Sequence, residues 1–184
     1  MCLLRLNLNK NKVNLYFQDE SRIALLTHTG SVVTACGVRP KVQYQHKFKN
    51  TYLFESYSPI DGDSFVYEIN GVSTKIFEAY LQEFSKHRED EIKIVVIDNA
   101  GFHSTKNIQI PNNIILLNIP PYCPELNPCE QIWAYIKQRF KNKSLDTMEN
   151  LRKWLHKTVK DMNTTTIKSV VSNHHYLQAF YATF

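Results

Sequence analysis

The chain has 184 residues, enough for one domain that buries its own core without disulfides or structural metals. An apolar content of 43%, with ten Phe, ten Tyr and only five Gly, excludes a disordered segment, and no apolar run is long enough to span a membrane. The net charge of +5 is unevenly spread: Arg39, Lys41, Lys47 and Lys49 form one block without acids, and eight Lys or Arg between Lys137 and Lys160 face only Asp146 and Glu149. Such basic stripes suit a polyanion such as nucleic acid, although a solvated helix face gives the same pattern.

The opening MCLLRLNLNKNK is broken by Arg5, Lys10 and Lys12 and has no small-residue cleavage site, which points to a cytoplasmic protein with no membrane partner. In VNLYFQD, 13–19, alternation puts Val13, Leu15, Phe17 and Asp19 on one side of a strand that ends on an acid. The runs SVVTAC, TYLFESYS and SFVYEI, punctuated by Gly and Pro, predict the antiparallel strands of a meander. Ser73 is a candidate cap for a helix carrying Ile76, Phe77, Tyr80, Leu81 and Phe84 to about residue 88. IKIVVID, 92–98, is apolar on both faces and predicts a strand in the middle of a covered sheet, again ending on an acid. A short helical turn is expected after NAGFH, and NNIILLNI, 112–119, predicts a further buried strand, parallel to the one before. Helices follow near Pro128, with Ile132, Trp133, Ile136 and Phe140, and from about Thr147 to Lys160; the tail from Thr164 is partly helical. The order predicts one α/β domain over residues 1–184, with a mixed sheet.

Three carboxylates stand out. An ionised acid at the end of a buried strand needs hydrogen bonds or a cation to offset its desolvation, which makes Asp98 a candidate ligand. An Asx turn at Asp98-Asn99 is the competing reading, and Asp19 has that of an exposed strand end. If their strands are parallel neighbours, both acids lie at carboxyl ends, where such sheets bind ligands. Glu130 follows Asn127-Pro128-Cys129, a capping-box arrangement that explains it equally well, yet the rigid PPYCPELNP lead-in would also place a first-turn carboxylate accurately. Three acids suffice for two Mg²⁺ ions. A zinc half-site of Cys123 and Cys129 with His103 is the weaker reading, because zinc ligands are usually more tightly spaced, and the four cysteines are otherwise reduced thiols. No P-loop, GxSxG, HExxH or dinucleotide fingerprint offers another chemistry.

Taken together, FQDES at 17–21, GVRP at 37–40, VVIDNAGFH at 95–103 and PPYCPELNPCEQIWAYIK at 120–137 resemble the catalytic domain of the Tc/mariner superfamily of transposases, in its bacterial insertion-sequence branch. The resemblance runs from about residue 13 to 160, with 31 residues between Asp98 and Glu130, close to the family's usual spacing. It implies a ribonuclease-H-like fold, a mixed five-stranded sheet flanked by helices. The family's catalytic, metal-binding acids fall on Asp19, Asp98 and Glu130, holding Mg²⁺ or Mn²⁺ as two ions for cleavage and strand transfer at transposon ends. Asn99 and His103 match a DNxxxH pattern that supports the acid or contacts substrate, and Lys137 is a candidate phosphate contact, with Trp133 a core residue or a support behind the acids.

The resemblance further implies DNA as partner, both transposon ends and target, a homodimer, and a place at the bacterial nucleoid. Cys123 stands where the family usually has serine and Cys129 where it prefers an aliphatic residue, and the Trp often found upstream of the Gly37 block is missing. The family's N-terminal helix-turn-helix domain has no counterpart here, so end recognition is expected from a separately encoded subunit or a fusion. The alternative is a catalytically silent DNA-binding or regulatory remnant.

Overall fold

In a computed structural model of the chain, the structure describes residues 12–28, 30–99, 108–121, 123–172, 177–178 and 181–182. The alternating segment that begins at Val13 forms a long strand, β1 (Lys12–Leu26), extending well beyond the expected end at Asp19. β1 pairs antiparallel with β2 (His46–Tyr57), and β2 antiparallel with β3 (Ser64–Ile69). Its other edge pairs parallel with β4 (Glu91–Ile97), which pairs parallel with β5 (Ile114–Asn118). The sheet is therefore mixed and five-stranded, in the order β3-β2-β1-β4-β5, as the resemblance implied.

Each face of the sheet has its own core, because β1, β2 and β4 are apolar on both sides. On one face Tyr16, Phe54, Val95 and Ile97 meet Phe77, Tyr80, Leu81 and Phe84 of α1 (Thr74–Lys86). That helix begins where expected, with the Ser73 hydroxyl accepting from the Ile76 N–H at 3.2 Å. On the other face Leu15, Phe17, Leu53, Tyr57 and Ile94 meet three helices: α2 (Cys129–Phe140), α3 (Met148–Lys160) and α4 (Thr164–Val171). α3 and α4 are capped by Thr147 and Asn163. No helix among the described residues is long and apolar enough to cross a membrane.

Two sequence expectations change. SVVTAC forms no strand; the chain turns at Ala35–Val38, where the Val38 N–H bonds the Ala35 carbonyl, and Val33 is 99% exposed. β-branched residues favour a strand only where a neighbour is available to pair, and here none runs alongside. β5 is also less buried than expected, since as an edge strand it covers Ile114 but leaves Leu117 41% exposed. The turn expected after NAGFH lies outside the described residues.

The β2–β3 turn abuts α4 at Gly62, which has φ +77° and sits against the Thr164 backbone. A side chain there would meet left-handed strain and the Thr164 carbonyl oxygen. Gly62→Ala is therefore expected to destabilise the fold by about 1–3 kcal/mol from backbone strain, with the steric contact added. Urea denaturation checks this, and a variant as stable as the parent contradicts the packing described.

Candidate metal centre

The parallel pairing of β1 with β4 sets Lys12 opposite Glu91 and Phe17 opposite Val96. Carried two residues further, this register brings Asp19 level with Asp98, just past the end of β4 at Ile97. By strand alternation both positions belong to the face covered by α2, since Phe17 lies in that core and Val96 packs against it. Asp19 is thus in mid-strand, not at a strand end, at the point where β4 stops covering β1. It is only 8% exposed, whereas Asp98 is half-buried.

Neutral groups hold the Asp19 carboxyl: Oδ1 accepts from the Glu20 N–H at 2.8 Å, and Oδ2 from Asn127 Nδ2 at 3.0 Å. Burial pushes the group up from its ordinary 3.8 to about 8. The Glu20 N–H opposes that rise, while the negative charges of Glu20, Asp98 and Glu130 add to it. Both other expected acids therefore act electrostatically on Asp19.

Glu130 reaches this neighbourhood on the first turn of α2, after a 3₁₀ turn at Pro124–Leu126. Asn127, 3% exposed, fastens the helix to β1: its Oδ1 accepts from the Cys129 N–H at 3.1 Å, and its Nδ2 donates to the Gln18 carbonyl at 3.0 Å as well as to Asp19. Cys129 adds a second fastening, its thiol donating to the Phe17 carbonyl at 3.1 Å. The capping box is only half formed, because among the described residues the Glu130 carboxylate makes no bond back to the Asn127 N–H, and the side chain stays exposed. Capping therefore explains Asn127 better than Glu130.

As they stand, no three His, Cys, Asp or Glu side chains among the described residues close around one point. Carboxylates brought together repel one another. The donors nevertheless fit a hard divalent cation. They are oxygens, and Asp19 is a buried acid whose hydrogen bonds come from neutral groups and whose acidic neighbours raise it further. A zinc half-site does not fit: Cys129 is fully buried in the core, and burial holds its thiol well above the usual range, against the thiolate that zinc needs.

The weaker candidates divide. Asn99 is exposed and joins the ends of β4 and β5, donating to the Ile119 carbonyl and accepting from Asn118 Nδ2 at 3.0 Å, so it steadies the segment carrying Asp98. Lys137 is half-buried, with Nζ 5.3 Å from the Trp133 ring centre. His103 lies outside the described residues. Sequence reasoning missed Glu55, which is fully buried directly opposite Asp19 on β2. Burial likewise pushes its carboxyl up from 4.5 to about 8, against the lowering effect of its bond from Trp133. The signal was present in TYLFESYS, where period-two alternation sets Glu55 inward between Leu53 and Tyr57.

Comparison with known proteins bears on the fold and the family. An uncharacterised protein of Sinorhizobium fredii, y4pE/y4sA, is 29% identical over 90 residues, spanning 48% of this chain and 67% of that protein. Among solved structures, the Mos1 strand transfer complex matches with a TM-score of 0.65 at 14% identity, over 86% of this chain and 50% of that one. The Mos1 mariner paired-end complex with Mn matches with a TM-score of 0.65 at 15% identity, over 86% and 51%. The shared feature is the ribonuclease-H-like fold, and the chain spans about half the length of these Mos1 chains, 50% and 51%. Residues 14–152, most of the chain and every acid discussed above, match the model of the DDE superfamily endonucleases, and the chain belongs to that family.

Proposed function

We propose that this chain is a transposase catalytic domain that cuts DNA strands at transposon ends and joins them to target DNA, with Asp19, Asp98 and Glu130 holding Mg²⁺ or Mn²⁺. The observation that carries this reading is the Asp19 carboxyl, buried on the face under α2 and level with Asp98 in the β1–β4 register, and pushed up mainly by burial with smaller contributions from Glu20, Asp98 and Glu130. Held by these three carboxylates, two such ions would supply activation of the attacking oxygen and stabilisation of the leaving one for in-line displacement at phosphorus. The chain's own side chains do the rest. Asn127 orients Asp19 and sets the start of the helix bearing Glu130, while Asn99 steadies the strand end bearing Asp98. Two carboxylates on strands and one on a fastened helix make a rigid set, which a site for accurate displacement requires.

The basic residues of α2 and the segment after it, Lys137, Arg139, Lys141 and Lys143, are suited to the phosphate backbone. Arg139 lies 3.4 Å from the Tyr135 ring centre, so its charge is held against the helix. Mos1 was solved as paired-end and strand transfer complexes, and a paired assembly on two DNA ends is the corresponding proposal here. Residues 1–184 then form one catalytic domain.

Nicking of supercoiled plasmid with Mg²⁺ or Mn²⁺ tests this reading. Asp98→Asn is expected to cut more than about 100-fold more slowly, beyond the range lost when only an outer partner of a metal is removed. Equal rates would remove Asp98 from the mechanism, and DNA binding without any nicking by the parent chain would identify a silent remnant. Lys137→Ala is expected to reduce the slope of log K for DNA against log salt by about 1, with little change in sequence preference. An unchanged slope would show that Lys137 touches no phosphate.

Asp19 must shed its proton to hold a cation, so the affinity for Mg²⁺ is expected to rise with pH and level off above about 8. Titration calorimetry at several pH values reads this directly, and a pH-independent affinity contradicts it. Without cation the effect on stability runs the other way. A folded value raised from 3.8 to about 8 stabilises the fold fully below 3.8, and that contribution is lost as pH rises through about 8. Asp19→Asn should flatten the decline and melt at higher temperature than the parent at pH 8. A parent whose melting temperature does not fall across this window would show Asp19 to be ionised throughout.

A further inference from the structure

Glu55 occupies an inward position of β2 between Leu53 and Tyr57, both in the core. It is fully buried, and its Oε1 has no hydrogen-bond partner among the described residues. An apolar side chain of similar size would serve packing alone at lower cost, since replacing buried charge by well-packed apolar groups is often neutral or stabilising. The one bond its carboxyl makes is therefore informative: Oε2 accepts from Trp133 Nε1 at 2.9 Å.

That bond joins two parts of the candidate metal centre. Glu55 is the cross-strand partner of Asp19, so the two side chains leave the same face of the sheet side by side. Trp133 lies three residues after Glu130 on α2, a spacing that makes them neighbours on the helix surface. The fastenings made by Asn127 and Cys129 both reach β1 and both sit at the very start of α2, so they act as a pivot. Ile132 and Ile136 pack the helix onto the sheet, but apolar contact has no preferred direction and tolerates a small roll. The Trp133–Glu55 bond lies one turn further along and on a different strand. With Lys137 Nζ over the same indole, 5.3 Å from its centre, the ring is held at its face as well as at its N–H.

We propose that Glu55 is a positioning residue: by accepting the indole proton of Trp133 it stops α2 from rolling and so fixes the direction in which Glu130 projects towards Asp19 and Asp98. The inference rests on the metal-binding reading of that trio. The hydrogen bond does the work and the charge does not, so an uncharged acceptor of the same shape serves equally.

Mn²⁺ binding followed by electron paramagnetic resonance, with melting temperature and plasmid nicking measured alongside, tests this on the full chain. Glu55→Leu and Trp133→Phe are each expected to weaken Mn²⁺ binding about 10-fold or more, in the range found for outer partners of metal ligands, without a matching fall in melting temperature. Glu55→Gln, which keeps an acceptor for the indole, should stay within about threefold of the parent, and the double variant Glu55→Leu/Trp133→Phe should be no weaker than either single. Trp133→Phe keeps the test open if Glu55→Leu does not fold. Unchanged Mn²⁺ affinity in both singles, affinity that merely tracks melting temperature, or Glu55→Gln as weak as Glu55→Leu would each overturn the proposal. A parent chain that binds no Mn²⁺, or whose binding survives Asp98→Asn, would instead overturn the assignment of the trio and this inference with it.

Discussion

The parallel register between β1 and β4 is the constraint on which the rest of the structure depends. Lys12 faces Glu91 at one end of the pairing, and β4 stops at Ile97 while β1 continues to Leu26. A slip of one residue would move every β4 side chain to the opposite face and carry Asp98 away from α2. The apolar sets on both faces prevent this, because Ile94 and Val95 belong to different cores and neither can be exchanged for its neighbour without exposing apolar surface. The same burial that stabilises the sheet thus fixes the separation of two acids.

The two ends of the parallel strands treat their acids in opposite ways. At the amino-terminal end Asp61 and Asp63 pair with Arg88, the Tyr16 hydroxyl lies 2.8 Å from both Asp63 and Glu91 with its one proton to share between them, and Asp61 is held down at about 2, with its bond from Arg88 the largest lowering cause. That network fastens the β2–β3 turn to the start of β4, with Glu91 Oε1 the one of its buried oxygens left without a hydrogen bond among the described residues. At the carboxyl end Asp19 and Glu55 are instead raised to about 8 by burial, with neutral donors for company. The acids at one end thus have the Arg88 guanidinium beside them, whereas those at the other take hydrogen bonds only from neutral donors, a contrast that supports reading the second group as the one suited to a cation.

Much of this was legible in the sequence because it depended on local pattern. Ser73 and Thr147 begin helices where a hydroxyl meets an apolar period, and IKIVVI is apolar on both sides because helices cover both faces of the sheet there. What failed depended on partners distant in the chain. SVVTAC has strand chemistry but no neighbour, and β5 reads as buried although the sheet ends there. For the site, the inward face of Asp19 followed from alternation and the place of Asp98 from the end of the apolar run, but Asp19 lies in mid-strand because β1 continues to Leu26, and Asn127 rather than Glu130 accepts the bond at the start of α2. Glu55 was hidden for a different reason: its meaning depends on Trp133, 78 residues away, and no spacing rule connects them.

The proposed function turns on Asp19, Asp98 and Glu130 gathering around divalent cations. Anomalous diffraction from crystals grown with Mn²⁺ tests it most directly. The account predicts manganese peaks bounded by oxygens of these three side chains, with α2 still fastened to β1 through Asn127. Manganese bound elsewhere, or none at this end of the strands under conditions where the protein nicks DNA, would contradict it.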